Sequence, residues 1–311
     1  MTGNEKQYAG ESGCQDWGGR GDNNMSSDVR FTDFKSDKQP TWCPGCGDFG
    51  TMNGMMKALA NTGNDPDNTF VVAGIGCSGK IGTYMHSYAL HGVHGRALPV
   101  GIGTKLANPN LEVMVAGGDG DGYSIGAGHF IHAVRRNVDM SYVVMDNRIY
   151  GLTKGQASPT SREDFETSTT PDGPKQPPVN PLALALASGG TFIAQSFSSD
   201  AQRHTEIVQQ AVEHDGFGFV NVYSPCVTFN DVDTYDYFRD SIVDLQESNH
   251  DPTDYDDAKD AILDAGKEYQ GIIYRDEDST PYEEREGLTE NMADIPDGAP
   301  DDAMDLVREF Y

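Results

Sequence analysis

With 311 residues the chain can bury one large core or two modest ones. Its 49 acidic residues against 22 lysines and arginines leave a net charge of −27, the wrong sign for a nucleic-acid binder, whose phosphate contacts need basic surface. No run approaches the roughly 18 apolar residues of a membrane span, and Met1-Thr-Gly-Asn-Glu-Lys6 lacks the basic-then-apolar layout of a signal peptide.

These features predict a cytoplasmic protein that meets no membrane. Five cysteines are too few for a disulfide framework at this length, and a reducing cytosol keeps them free as metal or cluster ligands. Acidic residues are spread along the whole chain, a balance similar to that of proteins from organisms with molar cytoplasmic salt. There the Debye length is only about 3 Å and self-repulsion is tolerated. A docking face for a basic partner would instead concentrate its charge in one block.

Residues 1 to 40 are polar and rich in Gly, Asp, Asn and Ser, which predicts a flexible arm in which Met25 is an alternative start. From Cys43 onward, apolar runs predict strands over Thr69 to Ile75, Leu111 to Ala116, Tyr142 to Met145, Thr191 to Ala194 and Phe217 to Val222. Helical patterning fills the gaps over Phe49 to Leu59, Ile125 to Val134, Leu182 to Ala187 and Gln202 to Val212. Alternation of strand and helix predicts an α/β fold with a doubly wound parallel sheet over residues 41 to 230. Residues 158 to 181 hold too much Pro, Thr and Asp for a packed element and predict a long ordered or gating loop. Residues 231 to 311 form an acidic C-terminal extension with one predicted helix from Tyr255 to Tyr269.

The chemistry concentrates in two places. Gly118-Asp119-Gly120-Asp121 follows one predicted strand, and Asp146-Asn147 ends the next, 28 positions after Asp119. In a parallel sheet, residues just past neighbouring strands converge on the ligand crevice. A carboxylate, a side-chain amide and a backbone carbonyl suit Mg²⁺, which takes its remaining ligands from phosphates. The glycines let the backbone approach a diphosphate, and a helix starting near Ser124 would offer its N-terminus to that charge. A glycine cluster alone is more often a tight turn, but this one follows a strand, precedes a helix and is answered by a second strand end. The second place is Cys43-Pro-Gly-Cys46, a knuckle that serves structural zinc and iron sites alike.

These segments resemble the beta subunits of 2-oxoacid:ferredoxin oxidoreductases, thiamine diphosphate enzymes of archaea and bacteria. The resemblance covers roughly residues 40 to 230. It is carried by Trp42-Cys-Pro-Gly-Cys-Gly-Asp48, Gly74-Ile-Gly-Cys-Ser-Gly-Lys80, His94-Gly-Arg96, Lys105-Leu-Ala-Asn-Pro109, Gly118-Asp-Gly-Asp121 and the segment Asp146 to Gln156.

The resemblance implies the thiamine diphosphate-binding fold, with Mg²⁺ held by Asp119, Asn147 and the carbonyl of Ile149. It implies that Ile75, Gly76, Cys77, Ser78, His94, Gly120, Asp121, Gly151 and Leu152 line the cofactor, and that Cys43, Cys46, Cys77 and Cys226 hold one [4Fe-4S] cluster. Four thiolates are what such a cluster requires. Cys77 lies in a cofactor loop, which would set the cluster beside the reacting centre; Cys14 has no counterpart. Lys80, three residues after Cys77, would pair as a catalytic cation with the substrate carboxylate.

The implied reaction is coenzyme A-dependent oxidative decarboxylation of a 2-oxoacid, with electrons leaving through the cluster to ferredoxin. Overall resemblance to the haloarchaeal form favours 2-oxoglutarate, with pyruvate next. This chain holds the diphosphate-binding half alone, so a larger alpha subunit is implied to bring the carboxylate that activates the cofactor. Two other functions stay open on the residues alone: a thiamine diphosphate decarboxylase or synthase with structural zinc, and a non-catalytic acidic zinc-knuckle scaffold.

Overall fold

The computed structural model describes residues 29–264, 267–288 and 290–292. Cys14, Met25 and the acidic end beyond residue 292 lie outside them. In chain order the helices are α1 (Asp48–Asn61), α2 (Ile81–Tyr84), α3 (Ala97–Ala107), α4 (Ala127–Arg136), α5 (Pro181–Ala187), α6 (Ala201–Val212), α7 (Tyr235–Ser241), α8 (Tyr255–Leu263) and α9 (Tyr282–Arg285). The strands are β1 (Thr69–Ala73), β2 (Tyr88–His91), β3 (Glu112–Gly118), β4 (Met140–Asp146), the short hairpin β5 (Ile149–Tyr150) and β6 (Gln156–Ala157), then β7 (Phe192–Phe197), β8 (Phe217–Tyr223), β9 (Ile242–Asp244) and β10 (Glu268–Arg275).

Eight strands form one sheet in the order β2-β1-β3-β4-β8-β7-β10-β9. Every neighbouring pair is parallel except β10 on β7. All residues of β4 and β8 are buried, because helices cover both faces of the sheet. Side chains alternate across each strand. Val71, Met114, Val143 and Val220 therefore meet Met55, Met56 and Leu59 of α1 and Ile207 and Val208 of α6 on one face. Val72, Val113, Val115, Tyr142, Val144 and Phe219 meet Leu98, Phe130, Val134 and Leu186 on the other. Each large apolar side chain removed from water in this way stabilises the fold by about 1.5–3 kcal/mol.

Side-chain caps set the helix starts. Asn180 accepts from the Ala183 N–H ahead of α5, with Pro181 at its first position, and Asp200 accepts from the Arg203 N–H ahead of α6.

Four features depart from the sequence expectations. The arm expected over residues 1–40 is packed in its described part: residues 31–34 form a 3-10 turn, and Phe34 is fully buried beneath α1. Helix α3 carries Pro99, Gly101 and Gly103, which mask its pattern; a Cβ at Gly101 would lie 2.7 Å from Val115 Cγ2, so that glycine permits close packing on the sheet. The helix expected from Tyr255 to Tyr269 ends at Leu263. Beyond it, β10 adds to the main sheet against β7, so part of the C-terminal extension completes the core rather than trailing from it.

Candidate active site

The carboxyl ends of β1, β3 and β4 open into one cavity of about 460 Å³. Register pairs Gly118 of β3 with Met145 of β4, which sets the next residues, Asp119 and Asp146, side by side. The cavity wall takes Ile75, Gly76, Cys77 and Ser78 from the loop after β1 and His94 from the loop after β2. It takes Asp119, Gly120 and Asp121 from the turn after β3, and Asn147, Ile149, Gly151 and Leu152 from the segment after β4. All nine residues expected at the cofactor and the three expected at Mg²⁺ thus share one wall.

The backbone there is shaped to admit a ligand. Gly76 has φ +111° with no atom within 4 Å of where a Cβ would be, so this loop leaves room beside the cavity. A Cβ at Gly118 would stand 3.0 Å from Ser78 Oγ, and one at Gly120 would collide with the edge of the Tyr150 ring, 2.1 Å from its Cε1. The helical stretch already includes Asp119 and Gly120 and passes into a π turn over 121–125, earlier than the expected start at Ser124. That shift gives Asp121 a structural task. Its Oδ1 accepts from the N–H groups of Ile75 (3.0 Å) and Gly95 (2.8 Å) and lies 2.8 Å from His94 Nδ1, tying three loops together. Its Oδ2 is buried without a partner.

Asp119 and Asp146 are 2% and 3% exposed. Burial first, then the Asp146 charge, pushes Asp119 well above the usual carboxylate range, and burial raises Asp146 as well, against the pull of Arg148. Two carboxylates buried side by side repel each other, and a cation between them would favour their charged forms. Asp119, the Asn147 amide and the Ile149 carbonyl could hold a hard divalent ion there, leaving its other positions to a diphosphate. Asn147 Oδ1 accepts from the Ile149 N–H at 3.0 Å and keeps a second lone pair for a metal.

The four cysteines outside the N-terminal segment converge beside this cavity. Gly45, at φ +84°, turns the knuckle, and the Cys46 N–H bonds the Cys43 carbonyl at 3.0 Å. The Gly47 N–H donates to the Pro225 carbonyl at 3.1 Å, docking the knuckle on the loop of Cys226. Trp42 Nε1 donates to the Cys77 carbonyl at 2.8 Å, docking it on the cofactor loop. A Cβ at Gly151 would lie 3.4 Å from Cys226 Sγ and 3.9 Å from Cys77 Sγ. Burial, then the Asp48 carboxylate and the Cys226 thiol, push Cys77 up to about 11, against the pull of Lys80. Cys46 is raised further, also mainly by burial. Among the described residues no three His, Cys, Asp or Glu side chains stand close enough to hold a single metal ion.

Lys80 follows the cofactor loop at the end of a 3-10 turn over 78–80. It is not on the cavity wall; its Nζ donates to Thr41 Oγ1 at 3.2 Å, although its charge reaches both Cys77 and Asp48.

Three wall or support residues carried no assigned role. Asp48, 1% exposed, lines the cavity; Ser224 Oγ donates to its Oδ1 at 2.8 Å, its Oδ2 has no partner, and burial pushes it up to about 6. A carboxylate two residues after a cysteine was the available signal. Tyr150 donates its hydroxyl to the Gly120 carbonyl at 3.1 Å. Thr160 sits under the acidic pair from a segment whose composition signals only a loop.

Known proteins match the chain along most of its length. Residues 69–222 match the thiamine pyrophosphate enzyme C-terminal TPP binding domain, and residues 226–290 match the C-terminal family of the pyruvate ferredoxin oxidoreductase beta subunit. The chain is 42% identical to the 2-oxoacid:ferredoxin oxidoreductase subunit beta of Saccharolobus solfataricus, over 86% of this chain and 90% of that one. It is 43% identical to the 2-oxoglutarate oxidoreductase subunit KorB of Mycobacterium tuberculosis, over 64% of this chain and 53% of that one. A solved structure of 2-oxoglutarate:ferredoxin oxidoreductase from Magnetococcus marinus, with 2-oxoglutarate, coenzyme A and succinyl-CoA bound, superposes with a TM-score of 0.83 at 41% identity, covering 93% of this chain and 97% of that one. Fold, cavity and sequence together place the chain in the family of 2-oxoacid:ferredoxin oxidoreductase beta subunits.

Proposed function

We propose that the chain pairs with a larger alpha subunit to catalyse coenzyme A-dependent oxidative decarboxylation of a 2-oxoacid to acyl-CoA and CO₂, with electrons passing through a [4Fe-4S] cluster to ferredoxin. The observation that carries this is Cys77, which lines the cavity and also has its thiol beside that of Cys226. A group held there touches both the reacting centre and the electron exit. Bound thiamine diphosphate supplies the electron sink for loss of CO₂.

The chain supplies the grip. Asp119, Asn147 and the Ile149 carbonyl hold Mg²⁺ on the diphosphate, while the 75–78 loop, His94, Gly120, Asp121, Gly151 and Leu152 shape the wall. Lys80 spends one of its three N–H donors on Thr41 Oγ1 and keeps the others for the substrate carboxylate. Cys43, Cys46, Cys77 and Cys226 hold the cluster. A zinc ion would need its thiolates about 2.3 Å from one point, whereas a cluster carries its own iron and sulfide and accepts thiolates set wider apart.

The relatives named for 2-oxoglutarate favour that substrate over pyruvate. Among the described residues no helix is long and apolar enough to cross a membrane, which fits a cytoplasmic enzyme, and the spread of acidic residues suits molar salt. Assaying the chain alone and with its alpha subunit, against both acids, tests the proposal. Activity should require both subunits and favour 2-oxoglutarate; turnover by the rigorously purified chain alone would overturn the two-subunit requirement.

A further inference from the structure

The geometry points to Thr160 as the residue that positions Asp119 for its cation, an inference resting on the metal-diphosphate assignment above. Thr160 is 5% exposed, and its Oγ1 lies 2.9 Å from Asp119 Oδ2 and 2.8 Å from Asp146 Oδ1. A hydroxyl carries one proton and so donates to one carboxylate at a time. Asp146 already accepts from Asn221 Nδ2 at 3.1 Å and from the Arg148 N–H at 3.2 Å, so the Thr160 proton is best used on Asp119. The Ser158 hydroxyl also reaches this carboxylate, so the turn that carries Thr160 sets the carboxylate's orientation towards the metal position.

The donor is itself rigidly held. Residues 158–161 form a tight turn in which the Ser161 N–H bonds the Ser158 carbonyl at 3.1 Å and the Ser158 N–H bonds Ser161 Oγ at 2.8 Å. Ser161 Oγ donates to the Arg148 carbonyl at 2.6 Å, between Asn147 and Ile149. One turn therefore grips both halves of the metal site: Asp119 after β3 through Thr160, and the 147–149 segment after β4 through Ser161. Asp146 is fixed from below, where Asn221 also accepts from the Tyr123 hydroxyl at 2.7 Å. A buried, fully engaged hydroxyl aimed at a ligand carboxylate sets how that carboxylate faces the ion, as outer-shell partners of metal sites do.

The test is thiamine diphosphate binding to the complete complex by calorimetry at graded Mg²⁺ concentrations, with thermal melting as the folding control. Thr160→Val should raise the Mg²⁺ needed for half-maximal binding by roughly tenfold or more, the range for losing a hydrogen bond to a charged group. Thr160→Ser, which keeps the hydroxyl and loses a methyl, should behave as wild type. An unchanged Mg²⁺ requirement in folded Thr160→Val would overturn the inference. If Thr160→Val does not fold, Thr160→Ser decides: wild-type Mg²⁺ dependence supports a hydroxyl role, and impaired dependence shows that Thr160 only packs. Wild-type complex with no Mg²⁺-dependent binding would overturn the functional proposal itself, a separate outcome.

Discussion

Gly120→Ala adds a single methyl group to the cavity turn, and the structure says where it goes. The new Cβ would stand 2.1 Å from Tyr150 Cε1 and 2.7 Å from its Cδ1 and Cζ. The backbone at Gly120 has φ −66° and ψ −32°, which alanine adopts freely, so the cost is steric alone. The ring cannot yield without loss, because its hydroxyl bonds the carbonyl of the same Gly120 at 3.1 Å and its body forms part of the cavity wall. Overpacking of this kind costs about 1–3 kcal/mol, or roughly 5- to 150-fold in cofactor affinity if the ring moves into the cavity. Calorimetric titration of thiamine diphosphate at saturating Mg²⁺ reads the loss directly. The double variant Gly120→Ala with Tyr150→Ala should bind no worse than Tyr150→Ala alone, since the collision partner is gone. Wild-type affinity in Gly120→Ala, or an equal further loss in the double variant, would refute the steric argument.

Asp119→Ala removes the one carboxylate assigned to Mg²⁺ and should weaken Mg²⁺-dependent cofactor binding by about a hundredfold, with Asn147→Ala costing less because water can replace a neutral amide; binding at wild-type strength would refute the site. His204 gives a pH prediction. It is fully buried between α6 and α1, 2.9 Å from Ser196 Oγ and 3.2 Å from the Thr51 carbonyl, and burial lowers it from 6.5 to about 4. The unfolded chain gains a proton as pH falls through 6.5 and the folded chain does not until near 4. Stability is therefore complete above 6.5 and drains between 6.5 and 4, by roughly 3 kcal/mol. Melting temperature should fall more steeply over that window in wild type than in His204→Gln; parallel curves would contradict this.

The parallel sheet was legible because strands buried on both faces read as continuous apolar runs, as in Phe217 to Val222. The same rule explains what was missed. Strand β2 is only Tyr88-Ala-Leu-His91, exposed at the sheet edge and too short for its apolar residues to stand out as a strand, and α3 hides behind a proline and two glycines. Strand β10 sits in an acidic stretch whose composition outweighed the short run Gly271-Ile-Ile-Tyr274. At the site, strand-end residues were legible because topology brings Asp119 and Asn147 to one place whatever lies between them. Thr160 was not, since its role depends on a loop folding back 41 residues later under the same strand ends, and no local pattern encodes such a return.

The most direct test of the account is metal and sulfide analysis of the anaerobically purified complex. About four iron atoms and no stoichiometric zinc are expected per chain, with most of the iron lost in Cys226→Ser and kept in Cys14→Ser. One zinc per chain in place of iron, or full iron retention in Cys226→Ser, would contradict a [4Fe-4S] cluster held by Cys43, Cys46, Cys77 and Cys226.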